Sequence, residues 1–137
     1  MTDATPRSGL EGQVLLMVGT LKGAFLFRSD PERQEWHVDG PHFPGESVYA
    51  LALDQRGGRR RTLAATRSFH WGSAVRSSDD FGKSWTSPEL HNVKFPPGLD
   101  ASLVQIWQIM QGRQSEPDVL YAGVEPAGLF RSTDGGA

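Results

Sequence analysis

Ser78-Asp79-Asp80-Phe81-Gly82-Lys83-Ser84-Trp85 is the stretch that decides the fold, because it fits Ser-x-Asp-x-Gly-x-x-Trp at every fixed position. Each fixed residue has a structural reason to be there. Ser and Asp side chains capture backbone N–H groups a residue or two ahead, and Gly takes a positive φ that other residues resist, so together they close a tight corner between strands. The Trp then begins the outgoing strand and buries a large ring against its neighbours. Asp80 is therefore read as a turn staple rather than a catalytic acid. Working outward, Ser132-Thr133-Asp134-Gly135-Gly136-Ala137 repeats the pattern up to the last residue, which makes Asp134 a second staple. A degenerate copy lies upstream, where Ser29 and Trp36 keep the seven-residue separation but Pro31 and Arg33 replace the Asp and the Gly. The expected structural set is thus Ser78, Asp80, Gly82, Trp85, Ser132, Asp134 and Gly136.

The three serines are separated by 49 residues (29 to 78) and 54 residues (78 to 132), close to the roughly 40 to 50 residues of a four-stranded propeller blade. The flanks repeat as well. Gly23-Ala24-Phe25-Leu26-Phe27-Arg28-Ser29 resembles Gly128-Leu129-Phe130-Arg131-Ser132, and each comes after a strand-like run ending in Gly, Leu15 to Gly19 and Val119 to Gly123. The middle copy has Thr62 to Thr66 and Ala74 to Ser78. Period-two patterns supply inner strands at Ser47 to Asp54, apolar on both faces, and at Leu103 to Met110, where aromatic and β-branched content favours strand over a short helix.

The expected fold is all-β, a propeller of four-stranded antiparallel blades with about two and a half blades present. Residues 1–12 read as a mobile tail, succeeded by units at about 13–40, 46–90 and 102–137. The first unit lacks an inner strand, the second is whole, and the third lacks its outer strand. Closed propellers have about 4 to 8 blades, so the expectation is a truncated product of a longer reading frame, with completion by other copies as the alternative.

Composition narrows the function classes. The 137 residues are 37% hydrophobic and 22% charged, with 14 basic and 16 acidic residues giving a formal charge of -2. Such a balance gives no general pull toward nucleic acid or an anionic membrane, so neither is expected as a partner. There is no cysteine, which removes disulfides, thiolate nucleophiles and cysteine-ligated zinc. No charged segment leading into an apolar run opens the chain, and no run approaches the roughly 20 residues of a membrane span. A soluble, cytoplasmic protein is the expectation.

At Ser78 to Trp85, Gly128 to Gly136 and the strands between them, the chain resembles the BNR or Asp-box repeat family. Phe69-His70-Trp71-Gly72, Asp79 to Lys83 and Val124-Glu125-Pro126 look most like its bacterial members named as glycosyl hydrolases or exo-sialidases. The resemblance implies a sialidase-like propeller. It also implies that the box lies away from the active face, and that the loops between the second and third strands of each unit face the central pocket. Those loops contribute Lys22, Arg67, His70, Trp71 and Glu125 as ligand-binding candidates, an aromatic plate among charges suited to a sugar or another polar small ligand. Each has a plainer reading. Lys22 is a solvated turn residue, His70 a loop histidine making one hydrogen bond, Trp71 a packing ring, and Arg67 and Glu125 hairpin caps.

Catalytic residues stay unassigned. Sialidase chemistry needs three arginines on the substrate carboxylate and a Tyr nucleophile activated by a Glu. This chain has no N-terminal Arg-Ile-Pro segment of the sialidase type, and Tyr49 and Tyr121 sit in strand patterns. The leading expectation is therefore a scaffold that binds a ligand or a protein partner. A glycoside hydrolase whose remaining groups lie in further blades is the alternative. No cofactor is expected, and His37 and His42 offer too few ligands for a metal. The run Arg56-Gly57-Gly58-Arg59-Arg60-Arg61 reads as a solvated turn. Arg76, standing where the other units have Phe27 and Phe130, is either paired or faces solvent.

Overall fold

A computed structural model describes residues 12–91 and 93–137, so the expected tail at 1–12 lies, but for Gly12, outside the described residues. The chain is all-β, with three antiparallel sheets of three strands each. The first holds β1 (Val14–Thr20), β2 (Gly23–Ser29) and β3 (Trp36–His42), the second β4 (Ser47–Asp54), β5 (Arg61–Ser68) and β6 (Gly72–Ser78), and the third β7 (Gln105–Gln111), β8 (Leu120–Glu125) and β9 (Gly128–Ser132). Within each sheet the strands keep chain order, as short hairpin connections impose. No helix among the described residues is long and apolar enough to cross a membrane.

The core lies between sheets. Ala24, Phe43, Val48 and Ala64 pack together between the first two sheets, while a larger cluster including Leu63, Ala65, Ile106, Ile109, Leu120 and Val124 joins the second to the third. Alanines on β4 and β5 let the neighbouring backbones come close. Gly19 has the same role, since a Cβ there would stand 2.6 Å from the Val48 carbonyl oxygen. The β4 strand is less symmetric than its sequence suggests. Val48, Ala50, Ala52 and Asp54 are buried, whereas Leu51 and Leu53 are half-buried and Tyr49 is exposed.

Pairing register shows that one hairpin, β1–β2, β5–β6 and β8–β9, recurs in the three sheets. Ser29, Ser78 and Ser132 close β2, β6 and β9 and pair with Val14, Thr62 and Leu120, so that counting five residues along the partner strand makes Gly19, Arg67 and Glu125 equivalent. The first strands of the second and third sheets agree to the residue. Val48 pairs with Thr66 and Ile106 with Val124, after which a β-bulge skips Tyr49 and Trp107 before pairing resumes at Ala50 and Gln108. A bulge re-aims the extra side chain and breaks alternation, which is why Trp107 and Gln108 are both exposed despite the period-two pattern of β7.

The box corners form as their chemistry requires. In the second, Ser78 Oγ accepts from Gly82 N at 2.8 Å and donates to Asp80 Oδ1 at 2.6 Å, and Asp80 Oδ1 accepts from the N–H groups of Lys83 and Ser84, both at 2.9 Å. The third repeats this, with Ser132 Oγ accepting from Gly136 N at 2.7 Å and donating to Asp134 at 2.5 Å. In the first corner Asp30, one residue early, replaces the missing carboxylate and accepts from Gln34 N at 2.8 Å, while Arg33 adopts φ 58° where Gly82 has φ 84°. The outgoing strand expected after Trp85 does not form, so the second sheet has three strands. Thr86 N donates to Ser77 O at 2.8 Å, but a continued antiparallel ladder would next need the N–H at position 88,. Pro88 has none, and opens a 3₁₀ turn, Pro88–Leu90,.

The arginine run is not a solvated turn. Arg56 is buried and grips Asp54 with two 2.8 Å bonds, then donates to the carbonyl oxygens of Glu116 and Val119 in the connection between β7 and β8 at 3.0 and 3.1 Å. Arg59 bonds Asp118 and the Pro117 carbonyl, and Arg61 donates to Gly135 O at 2.5 Å. The hairpin faces a row of backbone acceptors in the β7–β8 connection and the corner after β9, so the guanidinium forks are consumed there. Arg76 is paired too, 3.6 Å from Glu46 and with its guanidinium 4.7 Å from the Phe43 ring centroid.

Candidate functional site

At the end of the sheets opposite the box corners, a cleft of about 570 Å³ opens where the β5–β6 hairpin, the start of β4 and the approach to β7 meet. Arg67, Ser68, Phe69 and Gly72 form one wall, Gly45, Ser47 and Tyr49 a second, and Leu103 and Val104 a third. Register explains the gathering. Arg67 pairs with Ser47 on one side and Ser73 on the other, and Ser73 Oγ donates to Val104 O at 2.7 Å, which ties the third wall to the first.

The twin bulges bring one aromatic ring to this cleft and set a second against it. Tyr49 lines the cleft, and its ring meets that of Trp107 edge to face, with centroids 5.3 Å apart at 85°. Both rings stay accessible, Tyr49 at 39% and Trp107 at 50%. Phe69, at the hairpin tip, is 99% exposed. Arg67 is the one charged residue lining this cleft among the described residues. The strands feeding it also hold two buried polar atoms without a hydrogen-bond partner among the described residues, Thr66 Oγ1 next to Arg67 and Gln105 Oε1 next to Val104. Such groups cost about 1–3 kcal/mol each.

Of the five residues expected to bind ligand, Arg67 lines the cleft. Lys22 and Glu125 border it through their backbones. The Lys22 carbonyl accepts from Gly45 N at 3.3 Å, and the Glu125 carbonyl from Val104 N at 2.8 Å. His70 and Trp71 occupy the hairpin tip between two lining residues without lining the cleft themselves. Trp71 N donates to Ser68 Oγ at 2.9 Å, and the Phe69 and His70 rings stand 5.6 Å apart. Sequence reasoning missed Tyr49, Trp107 and Phe69. An aromatic at the third position of both inner strands was the available signal, but alternation alone assigns such residues to a buried face.

At the opposite end, the box carboxylates serve structure. Against the upward push of burial, hydrogen bonds from Ser78, Ser84 and backbone N–H groups hold Asp80 below the usual carboxylate range, and Ser132 does the same for Asp134. An acid held ionised in this way accepts hydrogen bonds and has no proton to give. Both His42 nitrogens are engaged, Nε2 with Asp39 at 3.0 Å and Nδ1 accepting from Trp85 Nε1 at 3.3 Å. No protein-family model matches this chain, and no curated protein matches it.

Proposed function

We propose that the three sheets are successive blades of an Asp-box β-propeller of the sialidase-like kind, and that the chain works as a ligand-binding scaffold whose cleft takes a sugar acid. The blade reading is supported by the shared register, by corners built on Ser, Asp and a positive φ, and by β4 packing beside both β1 and β7. The observation that carries the ligand class is that Tyr49 and Arg67 line one cleft, with Trp107 standing edge to face against the Tyr49 ring. A pyranose ring offers apolar C–H faces to aromatic rings, and a guanidinium fork matches a carboxylate.

Saturation-transfer NMR with N-acetylneuraminic acid and with a neutral pyranose tests this. Signal from both sugars should disappear in Tyr49→Ala, whereas Arg67→Ala should weaken the acid by about tenfold and leave the neutral sugar little changed. Equal response of the two sugars to Arg67→Ala rejects the sugar-acid assignment. The hydrolase alternative needs three arginines on the carboxylate, and this cleft supplies one. A fluorogenic sialoside should not be turned over, and turnover lost in Arg67→Ala would establish the hydrolase instead.

A further inference from the structure

Arg76 breaks the hairpin repeat, and it does so together with a second residue. Two residues before the closing serine, β2 and β9 carry Phe27 and Phe130, whereas β6 carries Arg76. In the third sheet Phe130 packs edge to face on Phe95, with centroids 5.2 Å apart. Arg76 takes the corresponding place against Phe43, its guanidinium 4.7 Å from the ring centroid, and pairs with Glu46 at 3.6 Å. Register gives Glu46 a counterpart as well. Val48 of β4 and Ile106 of β7 hold equivalent places, so two residues earlier Glu46 corresponds to Val104. An ion pair therefore stands where the next copy has a phenylalanine and a valine.

Both charged side chains are largely out of water, Arg76 at 13% and Glu46 at 18% exposure. Burial works against the Arg76 charge, and Glu46 works for it. An ion pair in such a place is seldom more stable than apolar side chains of similar volume, so stability does not explain the exchange. Position does. Glu46 follows Gly45 and precedes Ser47, both of which line the cleft, and the chain turns there through the bond from Glu46 N to Phe43 O at 3.0 Å. The Arg76 guanidinium holds that turn by Glu46 and by the Phe43 ring at once, while its Nε donates to the Thr86 carbonyl beyond the box corner. Neither Arg76 nor Glu46 lines the cleft itself. We propose that the two are a positioning pair, which fixes the turn from Phe43 to Glu46 and so sets the cleft wall of Gly45, Ser47 and Tyr49 against the ligand. The inference rests on the reading of the cleft as a ligand site.

The test exchanges the pair for its counterparts, Arg76→Phe with Glu46→Val, in the full chain labelled with 3-fluorotyrosine. There are two tyrosines, Tyr49 in the wall and Tyr121 in β8. The double variant should melt at or above the wild-type temperature, because two apolar side chains replace charges that had to be desolvated. The Tyr49 fluorine resonance should nevertheless shift while that of Tyr121 stays, and affinity for N-acetylneuraminic acid and for the neutral pyranose should fall alike, by about fivefold. A loss confined to the acid would mean that the pair acts through charge, and would overturn positioning. Arg76→Lys keeps the charge but cannot serve Glu46, Thr86 and the Phe43 ring together. It should move the same resonance and weaken both sugars by about twofold, and it carries the test if the double variant fails to fold. The fluorine measurement needs no ligand. If the wild-type chain binds neither sugar, the ligand reading fails, and the Tyr49 resonance still decides whether the pair sets the wall. An unmoved Tyr49 resonance, or unchanged affinity for sugars that the wild-type chain binds, overturns the proposal.

Discussion

The first and second box corners invert the relation between motif quality and structure. Residues 78–85 match every fixed position, yet the chain leaving that corner forms one backbone bond and no strand. Residues 29–36 match poorly, yet they lead into β3, which runs seven residues against β2. The motif therefore specifies a corner and says little about the path of the chain beyond it. The corner needs a carboxylate within reach of two N–H groups and one residue at positive φ. Asp30 and Arg33 meet those needs from positions the motif does not name. The outgoing path depends on the next few residues, where Asp39 has an N–H to give and its counterpart Pro88 has none.

The most damaging way to probe this difference is at the glycine. Gly82 sits at φ 84°, and a Cβ there would stand 2.4 Å from Leu26 Cδ1, a side chain that is itself fully buried. Gly82→Ala should cost about 2–4 kcal/mol, from left-handed strain plus overpacking. Gly57, also at positive φ, has open space around it, so Gly57→Ala should cost about 1–2 kcal/mol from strain alone. Urea denaturation of both variants separates the two contributions, and equal losses would show that packing against the first sheet is not what makes Gly82 necessary.

Asp80 comes next. Asp80→Ala leaves two backbone N–H groups and two hydroxyls without their acceptor and should lose about 2 kcal/mol at pH 7. Its carboxyl is held below the ordinary value, so its contribution is present above the unfolded value near pH 4 and is lost as pH falls through the lower folded value. In acid titrations of stability, the gap between the wild-type chain and Asp80→Asn should therefore close below about pH 4. A gap that stayed constant down to pH 2 would mean that the charge at Asp80 is irrelevant to the corner.

Much of the fold was legible because strands and corners obey local rules. The runs at Gly23 to Ser29 and Ser47 to Asp54 and the serine spacing all mapped onto observed elements. Less legible were features set by contacts between sheets. Arg56 reads as solvated when its own hairpin is considered alone, because the carbonyl groups that bury it belong to residues about sixty positions away. The cleft was half legible for a related reason. Loop positions pointed to Arg67, but the bulges that turn Tyr49 and Trp107 outward depend on pairing register, and the aromatic shared at the third position of β4 and β7 does not by itself say that pairing skips there. The missing strand after Trp85 was readable in principle. Pro88 stands in the sequence, and combining it with antiparallel hydrogen-bond alternation predicts the break.

Pro88 gives the third test. Pro88→Thr restores the N–H that would meet the Val75 carbonyl and removes the ring that sets the 3₁₀ turn. The amides at 86 and 88 should become protected in hydrogen exchange, with overall stability changed by no more than about 1 kcal/mol. Unchanged exchange would place the break in the box itself and acquit the proline.

The smallest effect is expected where the degenerate corner has already adapted. Arg33 holds φ 58° as an exposed non-glycine residue. A glycine there relieves left-handed strain of about 1–2 kcal/mol but loosens the unfolded chain by about 0.4–1 kcal/mol. Arg33→Gly should thus be neutral or stabilising by about 1.5 kcal/mol at most. The bond from Trp36 Nε1 to the Arg33 carbonyl, 3.2 Å long, uses backbone and survives the change. A loss of more than about 1 kcal/mol would mean that the Arg33 side chain itself braces the corner. The two corners would then differ in how they hold together, and not merely in which residues perform the same task.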